Sequence, residues 1–194
     1  MAKPGKLAPG AQSQVDSVTG LLSGARQLSS PHCDARPAAT AIDLLVIHGI
    51  SLPPGEFGGP WIERLFLGNL PADAHPGFAA PAALHVSAHL LIRRNGELLQ
   101  FVPFQRRAWH AGVSSFQGRA ACNDFSVGIE LEGCDDVPYA DAQYAELVMV
   151  ARALMQAYPG ITPVRVVGHS DIAPGRKTDP GPAFDWARLR ARLA

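Results

Sequence analysis

Leu44-Leu45-Val46-Ile47-His48-Gly49 is the stretch that decides the fold. Four consecutive apolar residues bounded by polar ones read as a short strand buried on both faces. The run stops at a histidine and a glycine. Downstream, Pro53, Pro54, Gly55, Gly58 and Gly59 mark a loop. Pro60 then opens a short helix, where its missing N–H costs nothing. Trp61 and Leu65, with Ile62 and Phe66, give that helix an apolar stripe, and Gly68 suits its C-terminal cap. Leu84 to Ile92 alternates, with His85, Ser87 and His89 on the face opposite Leu84, Val86, Ala88 and Leu90. Asn95-Gly96 is a hairpin turn into a returning strand over Leu98 to Val102. Phe125 to Leu131 alternates as well, placing Phe125, Val127, Ile129 and Leu131 on one face and Ser126, Gly128 and Glu130 on the other.

The spacing of Tyr144, Leu147, Val148, Ala151, Leu154, Met155 and Tyr158 predicts a helix over 141–158, stopped by Pro159-Gly160. Val164 to Val167 reads as a strand ending at Gly168-His169, and Phe184 to Leu193 as a last helix. Strands interleaved with helices and one hairpin imply an α/β fold: a single domain with a central mixed β-sheet flanked by α-helices. Residues 1–24 lack either periodicity and hold Pro4, Gly5, Pro9 and Gly10, so they are expected to form a flexible N-terminal leader. The folded domain is then 25–194.

At 194 residues and 47% apolar content the chain can bury a sizeable core without staples. Seventeen basic residues balance 17 acidic ones, so nucleic acid is not an expected partner. No apolar run approaches the ~20 residues of a membrane span, and the N-terminus lacks the apolar core of a secretory signal. Cys33, Cys122 and Cys134 form no CxxC pair, which fits free thiols. The expectation is a cytoplasmic monomer that binds no membrane.

The chemistry-bearing residues cluster at strand ends. His48 and His169 each follow an apolar strand, and Asp179 sits ten residues past His169 in Ile172-Ala-Pro-Gly-Arg-Lys-Thr-Asp-Pro-Gly-Pro182. Two imidazoles and a carboxylate suit a catalytic zinc with one open position. Histidines hydrogen-bonded at strand ends fit the same spacing. Glu130 reads either as a general base or as part of a solvated strand face. Lys177, two residues before Asp179, reads as a site cation or a surface lysine. Arg93-Arg94 and Arg106-Arg107 read as solvated charge, or as the border of a site for an anionic peptide. No HExxH, GxSxG or Gly-rich dinucleotide loop is present.

Five segments carry a resemblance. They are Val46-Ile-His-Gly-Ile-Ser-Leu-Pro-Pro-Gly-Glu-Phe-Gly-Gly-Pro-Trp61, Val86-Ser-Ala-His89, Arg107-Ala-Trp-His-Ala-Gly-Val113, Cys122-Asn-Asp-Phe-Ser-Val-Gly-Ile-Glu-Leu-Glu-Gly133, and Gly168-His-Ser-Asp-Ile-Ala-Pro-Gly-Arg-Lys-Thr-Asp-Pro-Gly-Pro-Ala-Phe-Asp-Trp186. Together they resemble the AmpD-type members of the zinc-dependent N-acetylmuramoyl-L-alanine amidases, over about residues 21 to 191. The resemblance implies Zn2+ held by His48, His169 and Asp179, with Glu130 as catalytic carboxylate and Lys177 as transition-state partner. It implies hydrolysis of the bond between anhydromuramic acid and L-alanine in muropeptides recycled in the cytoplasm, a process the family links to β-lactamase regulation. Trp109, His110, His85 and His89 are expected near the substrate, His89 also as an orienting group. Arginine often stands in the family where His85 stands here, and asparagine where Gly49 does. Other activities compatible with the motifs are an amidase on intact peptidoglycan, which needs export, and a non-catalytic muropeptide-binding module.

Overall fold

The computed structural model describes residues 13–193. Its ten strands are β1 (Arg26–Gln27), β2 (Cys33–Ala35), β3 (Leu44–Ile50), β4 (Leu90–Ile92), β5 (Leu98–Gln100), β6 (Arg106–Ala108), β7 (Ser115–Phe116), β8 (Arg119–Ala120), β9 (Ser126–Glu132) and β10 (Val166–Gly168). Its helices are α1 (Trp61–Phe66), α2 (Ala79–Ala82), α3 (Asp141–Ala157), α4 (His169–Ile172) and α5 (Trp186–Leu193). Six strands form one mixed sheet in the order β1-β5-β4-β9-β3-β10. Within it β4, β9, β3 and β10 run parallel, and β5 returns antiparallel to β4 through the Asn95-Gly96 turn. The pairs β2–β6 and β7–β8 stand apart as small antiparallel ribbons.

The apolar run behaves as its composition requires: Leu44, Leu45, Val46 and Ile47 are all fully buried. Strand periodicity divides them between two cores. Leu45 and Ile47, with Val127, Ile129 and Leu131 of β9, pack under α3 and α5 through Tyr144, Leu147, Leu154 and Leu189. Leu44 and Val46 face the other way, toward Phe125, Val167, Ile172 and Ala111. Beyond them, Leu91, Leu99 and Phe101 pack on Ile62, Leu65 and Phe66 of α1. His48 and Glu130 share the parity of Leu44 and Val46. They therefore lie on the sheet face away from α3, at the carboxyl ends of parallel strands, where connecting loops diverge and leave a crevice.

Four expectations need correction. The strand expected over Leu84 to Ile92 is confined to Leu90–Ile92. Before it the backbone leaves the sheet, as the Ser87 N–H donates to the Trp109 carbonyl. The strand expected from Val164 starts at Val166, because Pro163–Arg165 form a 3-10 turn with Val164 exposed. Residues 1–12 of the expected leader lie outside the described residues, but 13–24 pack on the domain. Val15 and Leu22 form a bridge, Leu22 is buried, and Gln100 Oε1 accepts the Leu22 N–H at 2.7 Å. Arg93 and Arg107, expected as solvated charge, are instead paired: Arg93, 7% exposed, bridges Glu63 and Glu132, and Arg107 bridges Asp34 and Asp124.

Candidate active site

The parallel register brings the site together. His48 on β3 stands directly beside Glu130 on β9, and Gly168 at the end of β10 pairs with Ile47, so His169 emerges next to His48. The loop after α4 carries Asp179 back to them, its carbonyl accepting the Ser170 N–H at 3.0 Å. Three donor atoms then converge. His48 Nδ1 and His169 Nδ1 are 2.9 Å apart, His169 Nδ1 and Asp179 Oδ2 are 3.0 Å apart, and His48 Nδ1 and Asp179 Oδ2 are 3.3 Å apart. A tetrahedral ion with bonds of ~2.0–2.1 Å spaces its donors ~3.3 Å apart, so this triangle fits the base of such a site. Both histidines are buried and Asp179 is nearly so.

The electrostatics match a cation site. Burial pushes the His48 imidazole down to about 4, against the opposing pull of Asp179, so it is neutral near pH 7. Burial alone would raise Asp179, but the close His169 and His48 rings outweigh it and hold the carboxyl well below the usual range. Glu130 moves the other way. Burial, then the nearby Asp179 charge, raise it well above an ordinary glutamate, and the Lys177 ammonium partly offsets them. Glu130 Oε2 is buried with no hydrogen-bond partner, a costly arrangement unless a ligand completes it. Lys177 is exposed, and its charge acts on both Glu130 and His48.

The remaining expected residues separate into two groups. Trp109 and His85 share one surface. The Trp109 ring stacks on His32 at 6.1 Å, His32 lies 5.1 Å from exposed His85, and Trp109 Nε1 donates to Asp34. His89 and His110, expected beside the substrate, turn inward instead. His89 is fully buried, its Nδ1 accepting the Gly128 N–H and its Nε2 facing the Arg106 carbonyl. His110 has Nδ1 at 2.9 Å from His48 Nε2 and Nε2 at 3.0 Å from Ser126 Oγ. The alternating pattern places His89 opposite the apolar face but cannot reveal that another segment covers that face. At Gly49, the space a side chain would need holds the Tyr139 hydroxyl, which donates to the Pro180 carbonyl beside Asp179. Sequence reasoning did not single out Asn123, whose Oδ1 accepts the backbone N–H groups of His110 and Ala111. The lone signal for this packing was Gly128, a glycine inside a strand.

A family model for N-acetylmuramoyl-L-alanine amidases matches residues 38–182, spanning the three converging donors, Glu130 and Lys177. The chain belongs to the N-acetylmuramoyl-L-alanine amidase family. This amidase is 63% identical over 175 residues to the 1,6-anhydro-N-acetylmuramyl-L-alanine amidase AmpD of Escherichia coli, covering 90% of this chain and 95% of that one. The fold agrees with a crystal structure of a selenomethionine AmpD derivative, at a TM-score of 0.88 and 60% identity, over 91% of this chain and 98% of that one. A more distant match is the AmiD amidase of E. coli in complex with the substrate anhydro-N-acetylmuramic acid-L-Ala-D-γ-Glu-L-Lys. There the TM-score is 0.57 and the identity 34%, over 81% of this chain and 60% of that one.

Proposed function

We propose that this amidase hydrolyses the amide bond between (1,6-anhydro)-N-acetylmuramic acid and the L-alanine of a stem peptide, using Zn2+ held by His48, His169 and Asp179. One observation carries the reading: three donors converge within 3.3 Å beside the buried carboxylate of Glu130, whose Oε2 has no hydrogen-bond partner. The 1,6-anhydro preference is supported by the 54–63% identity to relatives named for that substrate.

When bound, zinc would polarise the scissile carbonyl and acidify a water molecule. Glu130 is placed to take a proton from a water attacking the carbonyl carbon, which is the work of a carboxylate whose affinity for a proton burial has raised. The carbonyl oxygen gains negative charge, and the Lys177 ammonium neutralises part of it. The C–N bond then breaks, and Glu130 passes its proton to the departing L-alanine amine. Atoms balance: one water is consumed, and a muramyl carboxylate and a free peptide leave. We place the reaction in the cytoplasm, on fragments released from the cell wall. Among the described residues, no helix is long and apolar enough to cross a membrane.

Two substitutions test the division of labour. Asp179→Ala is expected to lose most bound zinc and activity together. Glu130→Ala is expected to keep its zinc and lose at least ~10²-fold in turnover. Metal analysis alongside peptide release decides: an active, zinc-free Asp179→Ala refutes the ligand set, and wild-type turnover in Glu130→Ala removes it from the chemistry.

A further inference from the structure

We propose that His110 is a positioning residue that fixes the tautomer of His48, so that the His48 Nδ1 lone pair faces the metal position. The proposal rests on the zinc reading above and deepens it. It follows from a chain of hydrogen bonds whose direction is forced from its far end. The Cys122 carbonyl can only accept, so Ser126 Oγ, 2.6 Å away, spends its single proton there. Ser126 Oγ must then accept from the other side, and His110 Nε2 at 3.0 Å is the donor. His110 is 9% exposed and has no carboxylate among its hydrogen-bond partners, so the ring stays neutral with a single proton, the one it gives to Ser126. Its Nδ1 is therefore an acceptor. Among the described residues, the only group offered to that Nδ1 is His48 Nε2, 2.9 Å away, which must donate. The neutral His48 ring then has no proton left for Nδ1. A metal-binding imidazole needs this arrangement, its second nitrogen held as a donor.

The segment that carries His110 does the same for the second histidine. The Ala111 carbonyl, which can only accept, lies 3.2 Å from His169 Nε2 and leaves His169 Nδ1 bare. Arg176 donates to the same carbonyl at 2.6 Å, and Asn123 Oδ1 clamps both backbone N–H groups at 3.1 and 2.8 Å. Gly128 completes the seat, because a Cβ there would collide with the His110 ring. Residues 110–111 thus orient both imidazoles from one short strap.

The test combines zinc affinity, read by competition with a chromophoric chelator, and histidine tautomers, read by 15N NMR of the metal-free protein. His110→Leu fills the space but offers no acceptor; it is expected to weaken zinc binding by ~10–100-fold and to let His48 populate its Nδ1–H form. His110→Asn is smaller but keeps an acceptor near the Nδ1 position; it is expected to stay within a few-fold of wild type. A merely space-filling role predicts the reverse order. The wild-type protein supplies a test that needs no substitution: His48 should carry its proton on Nε2. A proton on Nδ1, or wild-type zinc affinity in a folded His110→Leu, overturns the proposal. Wild-type protein that binds no zinc refutes the metal reading itself, a distinguishable failure.

Discussion

Individual residues were legible where their chemistry depends on strand position. His48, His169 and Asp179 were singled out from two strand ends and one stiff loop, and the fold brings their donor atoms within 3.3 Å. Glu130 was singled out because a charge beside Gly128 on one strand face is anomalous in a packed core. What stayed illegible was partnership. His110 gave no hint that it answers to His48, 62 residues away, because nothing local encodes a contact set by loop packing. Lys177 is the remaining test at this scale. Its charge reaches Glu130, but its side chain is exposed. Lys177→Met should therefore leave melting temperature and zinc content unchanged and cut turnover by ~10²–10³-fold. Unchanged turnover would exclude it from charge stabilisation.

At the scale of elements, strong periodicity was read well. The helix expected over 141–158 is α3, Asp141–Ala157, and the Asn95-Gly96 turn joins β4 to β5. The strand expected from Leu84 failed because alternation describes a half-buried strand only if a neighbour exists to pair with it. Ser87 bonds to Trp109 and to the His32 carbonyl, and no ladder forms there. One element end is improvable. Ala140 begins α3 with extended backbone and no side-chain cap, although Gln143 already accepts its N–H. Ala140→Ser supplies the missing acceptor and should add about 1 kcal/mol. For a chain of this size, that is a rise of ~2–4 °C in melting temperature. A calorimetric scan showing no rise would mean the Gln143 contact already satisfies this terminus.

The whole molecule holds three of its seven histidines in an unusual state. Burial holds His48 at about 4 and keeps His89 and His110 well below the ordinary histidine range. In the unfolded chain each titrates near 6.5. As pH falls from about 6.5 toward 4, the unfolded chain takes up three protons that the metal-free folded protein refuses, and stability falls. Glu130 opposes this with one proton, since its raised value lets the folded state bind a proton that the unfolded chain releases above about 4.5. Three against one leaves a net loss on acidification. The melting temperature of the metal-free protein should drop between pH 6.5 and 5, and a flat profile would contradict the burial of these rings. The packing of 13–24 belongs to this scale too. Composition marked that segment as a leader, but Gln100, distant in sequence and buried, accepts the Leu22 N–H and donates to the Gly20 carbonyl. Only the assembled sheet makes those partners available.

The most direct test is hydrolysis itself. Purified protein is incubated with anhydromuramyl-tripeptide as isolated, after chelation, and after zinc is restored, and free peptide is followed by mass spectrometry. The converging donors and Glu130 predict peptide release that chelation abolishes and zinc restores. Release indifferent to chelation, or zinc-loaded protein that binds the muropeptide without cleaving it, would contradict the account.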